Sequence, residues 1–422
     1  MNYSEAIAYI HGTYKFGRKL GLENITRLLE LMDNPQEKLK VVHVAGTNGK
    51  GSTSAFIANI LLEAGFNVGL FSSPFLQIFN ERIRLNRQNI PNEKLADITG
   101  FVKERIDLML EDGADHPTEF EIVTAIAFEY FKRENADYVV LEVGMGGRLD
   151  STNVVKNPLC AVITPIAMDH MDYLGETLAD IAAEKAGIIK PNLNVICHEQ
   201  EPEAMRVVED ICEKRQAKLK VVTMGKITIT KETLNETRFE YRKKTYSIPL
   251  LGRHQTRNAV LALNAVQALD LPEVTEGILK RGLSVTKWPG RMEILSKKPL
   301  IFIDGAHNFH GAMSLKETME HLLKGKHVIG VIGMLKDKEI DRVLEIVMPL
   351  FDEIIVTEPR SDRRMTYTEL TKKVKVFNKK AKGFERILDA LIEAKSMAVE
   401  DDVIIVFGSL YMVGEVRSIL SE

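Results

Sequence analysis

The run Val41-Val42-His43-Val44-Ala45, followed by Gly46-Thr47-Asn48-Gly49-Lys50-Gly51-Ser52, limits the possible folds more than any other stretch of the chain. The β-branched residues predict a strand. The glycines predict a tight turn, and the pattern after them predicts a helix over Thr53–Ala64, closed by Gly65 as the first residue past its end. Such a turn lets backbone N–H groups converge on a phosphate. The helix N-terminus adds positive potential, Lys50 adds a point charge, and the Ser52 hydroxyl is placed to hold Mg²⁺. The strict pattern G-x-x-x-x-G-K-[ST] is not met, because Gly51 separates Lys50 from Ser52 and residue 44 is Val. A bare Gly-rich turn with a solvated lysine is the competing reading, and the flanking strand and helix weigh against it.

The same strand–turn–helix rhythm recurs along the chain. Strands are predicted at Val68–Phe71, Tyr138–Val143, Cys160–Thr164 and Val195–Cys197, which argues for a parallel sheet covered on both faces. Residues 219–250 break the rhythm: the alternation in Ile227-Thr228-Ile229-Thr230 and Phe239-Glu240-Tyr241 predicts a small antiparallel patch. A helix near Gln255–Leu269 follows. Lys287-Trp288-Pro289-Gly290 reads as a break, after which strands restart at Leu300–Ile303, Val328–Ile332, Glu353–Val356 and Val403–Phe407. With 422 residues and 45% hydrophobic side chains the chain can bury two cores. The expected fold is α/β: a P-loop-type parallel-sheet domain over 1–291 carrying the antiparallel patch, and a smaller Rossmann-like α/β domain over 292–422.

Charge is nearly balanced, 56 Lys and Arg against 59 Asp and Glu, and nothing in that balance points to a nucleic-acid or anionic-membrane surface. No uncharged apolar run approaches the ~18 residues of a membrane span. The three cysteines, Cys160, Cys197 and Cys212, have no metal-ligand spacing and fit a reduced, cytoplasmic protein.

Several residues outside the Gly-rich loop stand where chemistry is placed in open α/β sheets, at the carboxyl ends of strands. Glu142 ends a Val-rich strand and suits a divalent cation as well as it suits solvent. His170, in Met168-Asp169-His170-Met171-Asp172, reads alone as a structural or solvated loop histidine. The Gly144–Gly147 turn lacks the G-x-G-x-x-G spacing of a dinucleotide fingerprint. Thr177-x-x-Asp180 predicts a capping box, after which Leu178, Ile181 and Lys185 share one helix face. A lysine on an apolar stripe usually reaches to water; one that cannot is driven toward the neutral amine, which can take up CO₂ as a carbamate. Asp304 ends an apolar strand before Gly305-Ala306, and as a turn residue it favours backbone N–H groups over a ribose hydroxyl. Thr118 and Glu121 form a capping box after Pro117, which explains both without chemistry.

The loop GTNGKGS resembles the nucleotide loop of the Mur-type ligases. The stretch from Gly21-Leu22-Glu23 through Asn34-Pro35-Gln36 to His43-Val44-Ala45 resembles folylpolyglutamate synthase, including its bifunctional dihydrofolate synthase members. The resemblance continues through Ser72-Ser73-Pro74, Asn80-Glu81-Arg82-Ile83, the run Leu141–Asp150, Glu184-Lys185-Ala186-Gly187-Ile188, His254-Gln255, Pro289-Gly290-Arg291 and Asp304-Gly305-Ala306-His307-Asn308. It implies ATP and Mg²⁺ as cofactors, with Gly46, Thr47, Asn48, Gly49, Lys50, Gly51 and Ser52 around the phosphates. Mg²⁺ would fall to Ser52, Ser73, Glu142 and His170. Lys185 would be carbamylated, and Lys50 and His170 would act with it in catalysis. Asn258, Arg291, Asp304 and His307 would contact ATP.

The implied reaction joins L-glutamate to the γ-carboxylate of a folate through an acyl phosphate, in a protein expected to act as a monomer. Many bifunctional relatives read Ser-Pro-His-Leu where this chain has Ser73-Pro74-Phe75-Leu76. The resemblance implies that this loop lies near the pterin, where Phe75 either stacks on an aromatic ring or simply packs, and the change weighs against dihydropteroate more than against folate. Two other classes stay open: another Mur-type amide ligase, and a P-loop nucleotide switch that is not a ligase.

Overall fold

The computed structural model describes residues 1–17 and 21–421. Two compact units account for them. One comprises 1–75, 79–226 and 258–285, and the other 76–78, 227–257 and 286–422.

The first unit is built on eight strands: β1 (Val41–Ala45), β2 (Val68–Phe71), β3 (Ile83–Leu85), β4 (Gln88–Asn89), β5 (Tyr138–Glu142), β6 (Cys160–Ile163), β7 (Asn194–His198) and β8 (Lys218–Val222). Their order is β4-β3-β2-β5-β1-β6-β7-β8. All neighbours from β2 to β8 run parallel, while β3 and β4 form an antiparallel edge absent from the sequence reading. The central strands VVHVA, YVVLE and CAVI are buried at every position, as expected when helices cover both faces. One face packs Val41, Phe71, Val139 and Leu141 against helices Tyr3–Gly12, Glu23–Leu31, Asn92–Glu111 and Glu119–Arg133. Farther along the same face, Ala161, Ile163 and Val195 pack against helices Leu178–Ala186 and Pro202–Lys214, while helix Lys50–Glu63 covers the opposite face of β1, β2 and β5. The capping box at Thr118 and Glu121 is present and starts the buried helix Glu119–Arg133.

The second unit holds a three-stranded antiparallel sheet and a six-stranded one. The first contains β9 (Ile227–Glu232), β10 (Thr237–Tyr241) and β11 (Lys244–Ile248), with Arg242 and Lys243 at positive φ in the two-residue turn from β10 to β11. The second contains β12 (Glu293–Lys297), β13 (Leu300–Asp304), β14 (Val328–Ile332), β15 (Glu353–Val356), β16 (Lys382–Gly383) and β17 (Val403–Phe407), ordered β12-β13-β17-β14-β15-β16. Only β12 runs antiparallel to its neighbour.

The units differ from a single cut after residue 291. The antiparallel patch belongs with the C-terminal sheet, and helix Arg253–Gln267 contributes its first residues to the second unit and the rest to the first. A short sheet has too little apolar area for a core of its own, so its membership is decided by what it packs on, which hydrophobic patterning does not encode.

Candidate active site

Sheet order gathers the candidate residues of the first unit. Strands β2, β5, β1 and β6 are adjacent and parallel, so the loops leaving their carboxyl ends lie side by side. These loops carry Ser73 after β2, Glu142 at the end of β5, Gly46–Ser52 after β1, and Thr164 through His170 after β6.

The Gly-rich loop is braced from below. The N–H groups of Thr47 and Asn48 donate to the carbonyl of Pro165 at 2.9 and 3.2 Å. The Thr47 hydroxyl donates to the Ala167 carbonyl and accepts the Ala167 N–H, both at 3.0 Å. Gln200 holds the other side of that turn, donating to the Thr164 carbonyl at 3.1 Å and accepting the Ile166 N–H at 2.8 Å. Gly46 has φ +143°, and a side chain there would run into the Thr164 hydroxyl and carbonyl, so glycine is required.

The helix begins at Lys50, three residues earlier than the sequence predicts, with Gly49 at φ +86° as its cap. Its first intrahelical bond runs from the Thr53 N–H to the Gly49 carbonyl. The donors that precede this bond, on Gly49, Lys50, Gly51 and Ser52, lie at the start of the helix, where backbone N–H groups suit an anion, while those of Thr47 and Asn48 hold the loop itself. Asn258, from helix Arg253–Gln267, is buried with its side-chain amide directly over Gly49.

Lys185 does not reach to water. It is 3% exposed, and its Nζ donates to the carbonyl of Gly46 at 3.0 Å, 139 residues away in sequence. Helix Leu178–Ala186 starts at the predicted capping box of Thr177 and Asp180, which puts Ile181 and Lys185 on the buried face. Burial, and secondarily the charge of Lys50, lower the Lys185 amine to about 7, against opposing pulls from Asp169, Asp150 and Glu184. A neutral amine is thus well populated at neutral pH. Lys50 donates from its Nζ to the same Gly46 carbonyl at 3.1 Å and to that of Thr47 at 3.3 Å.

Glu142 and Ser52 are buried. Ser73 is half-buried. His170 adopts a left-handed conformation, φ +53°, and begins the short helix Met171–Leu174, with its Nε2 3.9 Å from the Asp169 carboxylate. Of the donors that the resemblance implies, the Glu142 carboxylate and the Ser52 and Ser73 hydroxyls are the oxygen ligands Mg²⁺ takes, and the His170 imidazole is the exception. Among the described residues no group of three or more His, Cys, Asp or Glu side chains is placed to hold a metal ion.

Phe75 lies 6.0 Å from the ring of Phe79 and under the guanidinium of Arg82, 5.3 Å from its centroid. These neighbours give it a packing role in addition to any aromatic ligand.

Sequence reasoning quoted Asp150 without giving it a role and passed over His43 as a strand residue. Asp150 is buried and accepts the Met145 N–H at 2.9 Å, the Thr152 N–H at 3.0 Å and the Thr152 hydroxyl at 2.6 Å. Burial pushes its carboxyl up, and these hydrogen bonds oppose the rise. The Thr152 oxygen lies 2.8 Å from Nε2 of His43, a fully buried imidazole lowered by burial to about 3 and therefore neutral. Since the hydroxyl proton of Thr152 goes to Asp150, Nε2 carries the His43 proton. The readable signal was the Asp-x-Thr spacing of a side-chain-capped turn.

In the second unit, Asp304 ends β13. Its two oxygens accept the N–H groups of Met292 and Ala306, each at 2.8 Å, the turn role that the residues alone favour. Burial pushes its carboxyl up against the pull of Arg291. Arg291 lies directly over Gly305, and His307 Nδ1 is 2.8 Å from the Gly305 carbonyl. Arg291, Asp304 and His307 thus converge on one turn.

Comparison with known proteins defines the class first. The Mur ligase middle domain matches residues 44–266, and the Mur ligase glutamate ligase domain matches residues 290–410. The chain is 35% identical over 425 residues to dihydrofolate synthase/folylpolyglutamate synthase of Bacillus subtilis, covering 98% of each. It superposes on folylpolyglutamate synthase from Thermotoga maritima with a TM-score of 0.86 at 36% identity, over 99% of this chain and 96% of that one. On Mycobacterium tuberculosis folylpolyglutamate synthase complexed with ADP the TM-score is 0.90 at 29% identity, over 100% and 99% of the two chains. The chain belongs to the folylpolyglutamate synthase/dihydrofolate synthase family of Mur ligases. Among the described residues no helix is long and apolar enough to cross a membrane.

Proposed function

We propose that this protein is an ADP-forming ligase that joins L-glutamate to the γ-carboxylate of a folate and, because relatives carrying both names support it against the Phe75 change, also to dihydropteroate. The observation that carries this reading is the buried Lys185 amine held against the carbonyl of Gly46 at the foot of the phosphate loop. A simple nucleotide switch has no need of a desolvated amine there, whereas a carbamate on it supplies an anion that helps organise metal and phosphate.

Forming an amide from a carboxylate in water is uphill, so the carboxylate must first be activated. In this reading the folate carboxylate oxygen attacks the γ-phosphate of ATP. Lys50 and the amides of Gly49 to Ser52 stabilise the charge on the transferring group. Ser52, Ser73, Glu142 and His170 would hold Mg²⁺, which supplies further charge neutralisation on the phosphate oxygens. The amine of glutamate then attacks the acyl phosphate, and phosphate leaves. Asn258, Arg291, Asp304 and His307 would contact the nucleotide. The ADP in the mycobacterial relative's structure supports ATP as the phosphoryl donor. The three buried free thiols support a cytoplasmic setting, and we read the protein as a monomer.

The test is ADP formation with tetrahydrofolate, dihydropteroate or a UDP-sugar acceptor, each with and without L-glutamate. The expected result is glutamate-dependent ADP release with the first two acceptors only. Release with the UDP-sugar alone would assign another Mur-type ligation, and release that ignores every acceptor would reject the ligase reading.

A further inference from the structure

The helix that carries Lys185 is locked to the loop after β5 over a very short distance. The Arg148 N–H donates to the Glu184 carbonyl at 2.7 Å, and its guanidinium donates to the Glu184 carboxylate from Nε at 3.0 Å and Nη2 at 2.7 Å. Asn153 crosses the same junction, its side-chain amide donating to the carbonyls of Arg148 at 2.9 Å and Gly187 at 3.2 Å. The two backbones meet through glycines. A Cβ on Gly147 would stand 2.6 Å from the Glu184 carbonyl oxygen and 2.8 Å from that of Lys185. A Cβ on Gly187 would fall 2.5 Å from the Arg148 Cα. Backbone atoms cannot yield to either.

None of the contacts just described involves a residue assigned to phosphate or metal, yet they bracket Lys185 on both sides. The Lys185 Cα is itself within 3.1 Å of where a Gly147 side chain would begin. A long side chain aimed at one carbonyl depends on where its Cα starts. A displacement of ~1 Å at the helix end is enough to break a hydrogen bond of ordinary length.

We propose that Arg148, with Gly147, Gly187 and Asn153, positions the Lys185 amine at the Gly46 carbonyl and so keeps it out of water and competent to take up CO₂. This rests on the reading of Lys185 as a carbamylated residue. In that step the amine nitrogen's lone pair forms the N–C bond to CO₂, a carbon–oxygen π pair moves onto oxygen, and one amine proton leaves to water. The Arg148 guanidinium is more than half exposed, so its ion pair contributes little to stability and its role can be tested in a folded protein.

The experiment compares the wild-type protein with Arg148→Ala, Gly147→Ala and Gly187→Ala. ¹³C NMR in labelled bicarbonate reads carbamate occupancy, and ADP release is followed across a bicarbonate series. In Arg148→Ala, occupancy and activity should fall together by about ten-fold, as for other partners that orient an anionic ligand, and rise together as bicarbonate is added. The glycine variants should lose more. Wild-type occupancy in all three variants, or lost activity that ignores bicarbonate, would overturn the proposal.

If the wild-type protein itself shows no carbamate, the reading of Lys185 fails separately. The positioning claim is then decided by cyanate labelling of Lys185 in bicarbonate-free buffer, read by mass spectrometry. Severalfold faster labelling in Arg148→Ala sustains it, and an unchanged rate rejects it.

Discussion

Replacing Lys185 by methionine should make the protein more stable while abolishing its activity. The size of the effect follows from burial. An amine lowered from 10.5 to about 7 costs the folded state on the order of 5 kcal/mol at neutral pH, and relaxation around the charge brings the realised cost to a few. Methionine fills a similar volume and carries no charge. The hydrogen bond it forfeits contributes ~1 kcal/mol, and the Gly46 carbonyl keeps the Lys50 amine as a partner. The expected net gain is about 2–4 kcal/mol at pH 7.

The pH dependence has a definite sign. Between about 7 and 10.5 the unfolded chain holds a proton on Lys185 that the folded protein has released. Stability of the wild-type protein therefore rises across this window by up to about 1.4 kcal/mol per pH unit from this residue. Below about 7 both states are protonated and the penalty is felt in full. The advantage of Lys185→Met should thus be largest at pH 7 and shrink by pH 9. Urea unfolding followed by far-ultraviolet circular dichroism, in bicarbonate-free buffer at both pH values, measures it. A variant no more stable than wild type at pH 7, or a gap that does not narrow by pH 9, would refute the argument from desolvation.

Other outcomes are expected from the same geometry. Lys50→Ala should lower turnover by about 10²–10³-fold, comparable to losing an oxyanion donor, with the thermal midpoint nearly unchanged; unchanged turnover in a folded variant would remove Lys50 from the phosphate site. Gly49→Ala places a β-carbon at φ +86° against the Asn258 amide and should cost ~1–3 kcal/mol of local strain; calorimetry should show weakened ADP binding, and wild-type affinity would separate Asn258 from the nucleotide. An ¹⁸O label in the folate γ-carboxylate should appear in inorganic phosphate, and full retention in the folate product would exclude an acyl phosphate.

Much of the nucleotide-loop region was legible because its signals are local. Strand β1, the Gly-rich turn, the glycine after the helix and the capping box at Thr177 each depend on residues within a few positions of one another. Burial of Lys185 was readable only as a pair of alternatives, since its helix stripe does not reveal whether the side chain can reach solvent. Three features were not legible. The Pro165 carbonyl that occupies two loop amides is 118 residues from Thr47 and has no side-chain signature. The His43–Thr152–Asp150 chain joins a residue disguised as strand filler to a turn 109 positions away. The edge strands β3 and β4 are too short for alternation to register.

The Gly46 carbonyl receives two amines, from Lys50 and from Lys185, and this bears on how the nucleotide leaves. A lysine waiting in open water would trade its hydration for the ion pair when phosphate arrived. Here the Lys50 amine already has lodging on its own loop, so an incoming phosphate gains only the difference between a charged contact and two carbonyl bonds. The grip on the spent nucleotide is moderated by the same amount. If Lys50 leaves these carbonyls for phosphate as proposed, Gly46 and Thr47 can take the amine back when ADP departs. On that reading the loop holds partners ready for the amine, which suits a catalyst that must discard ADP after every ligation.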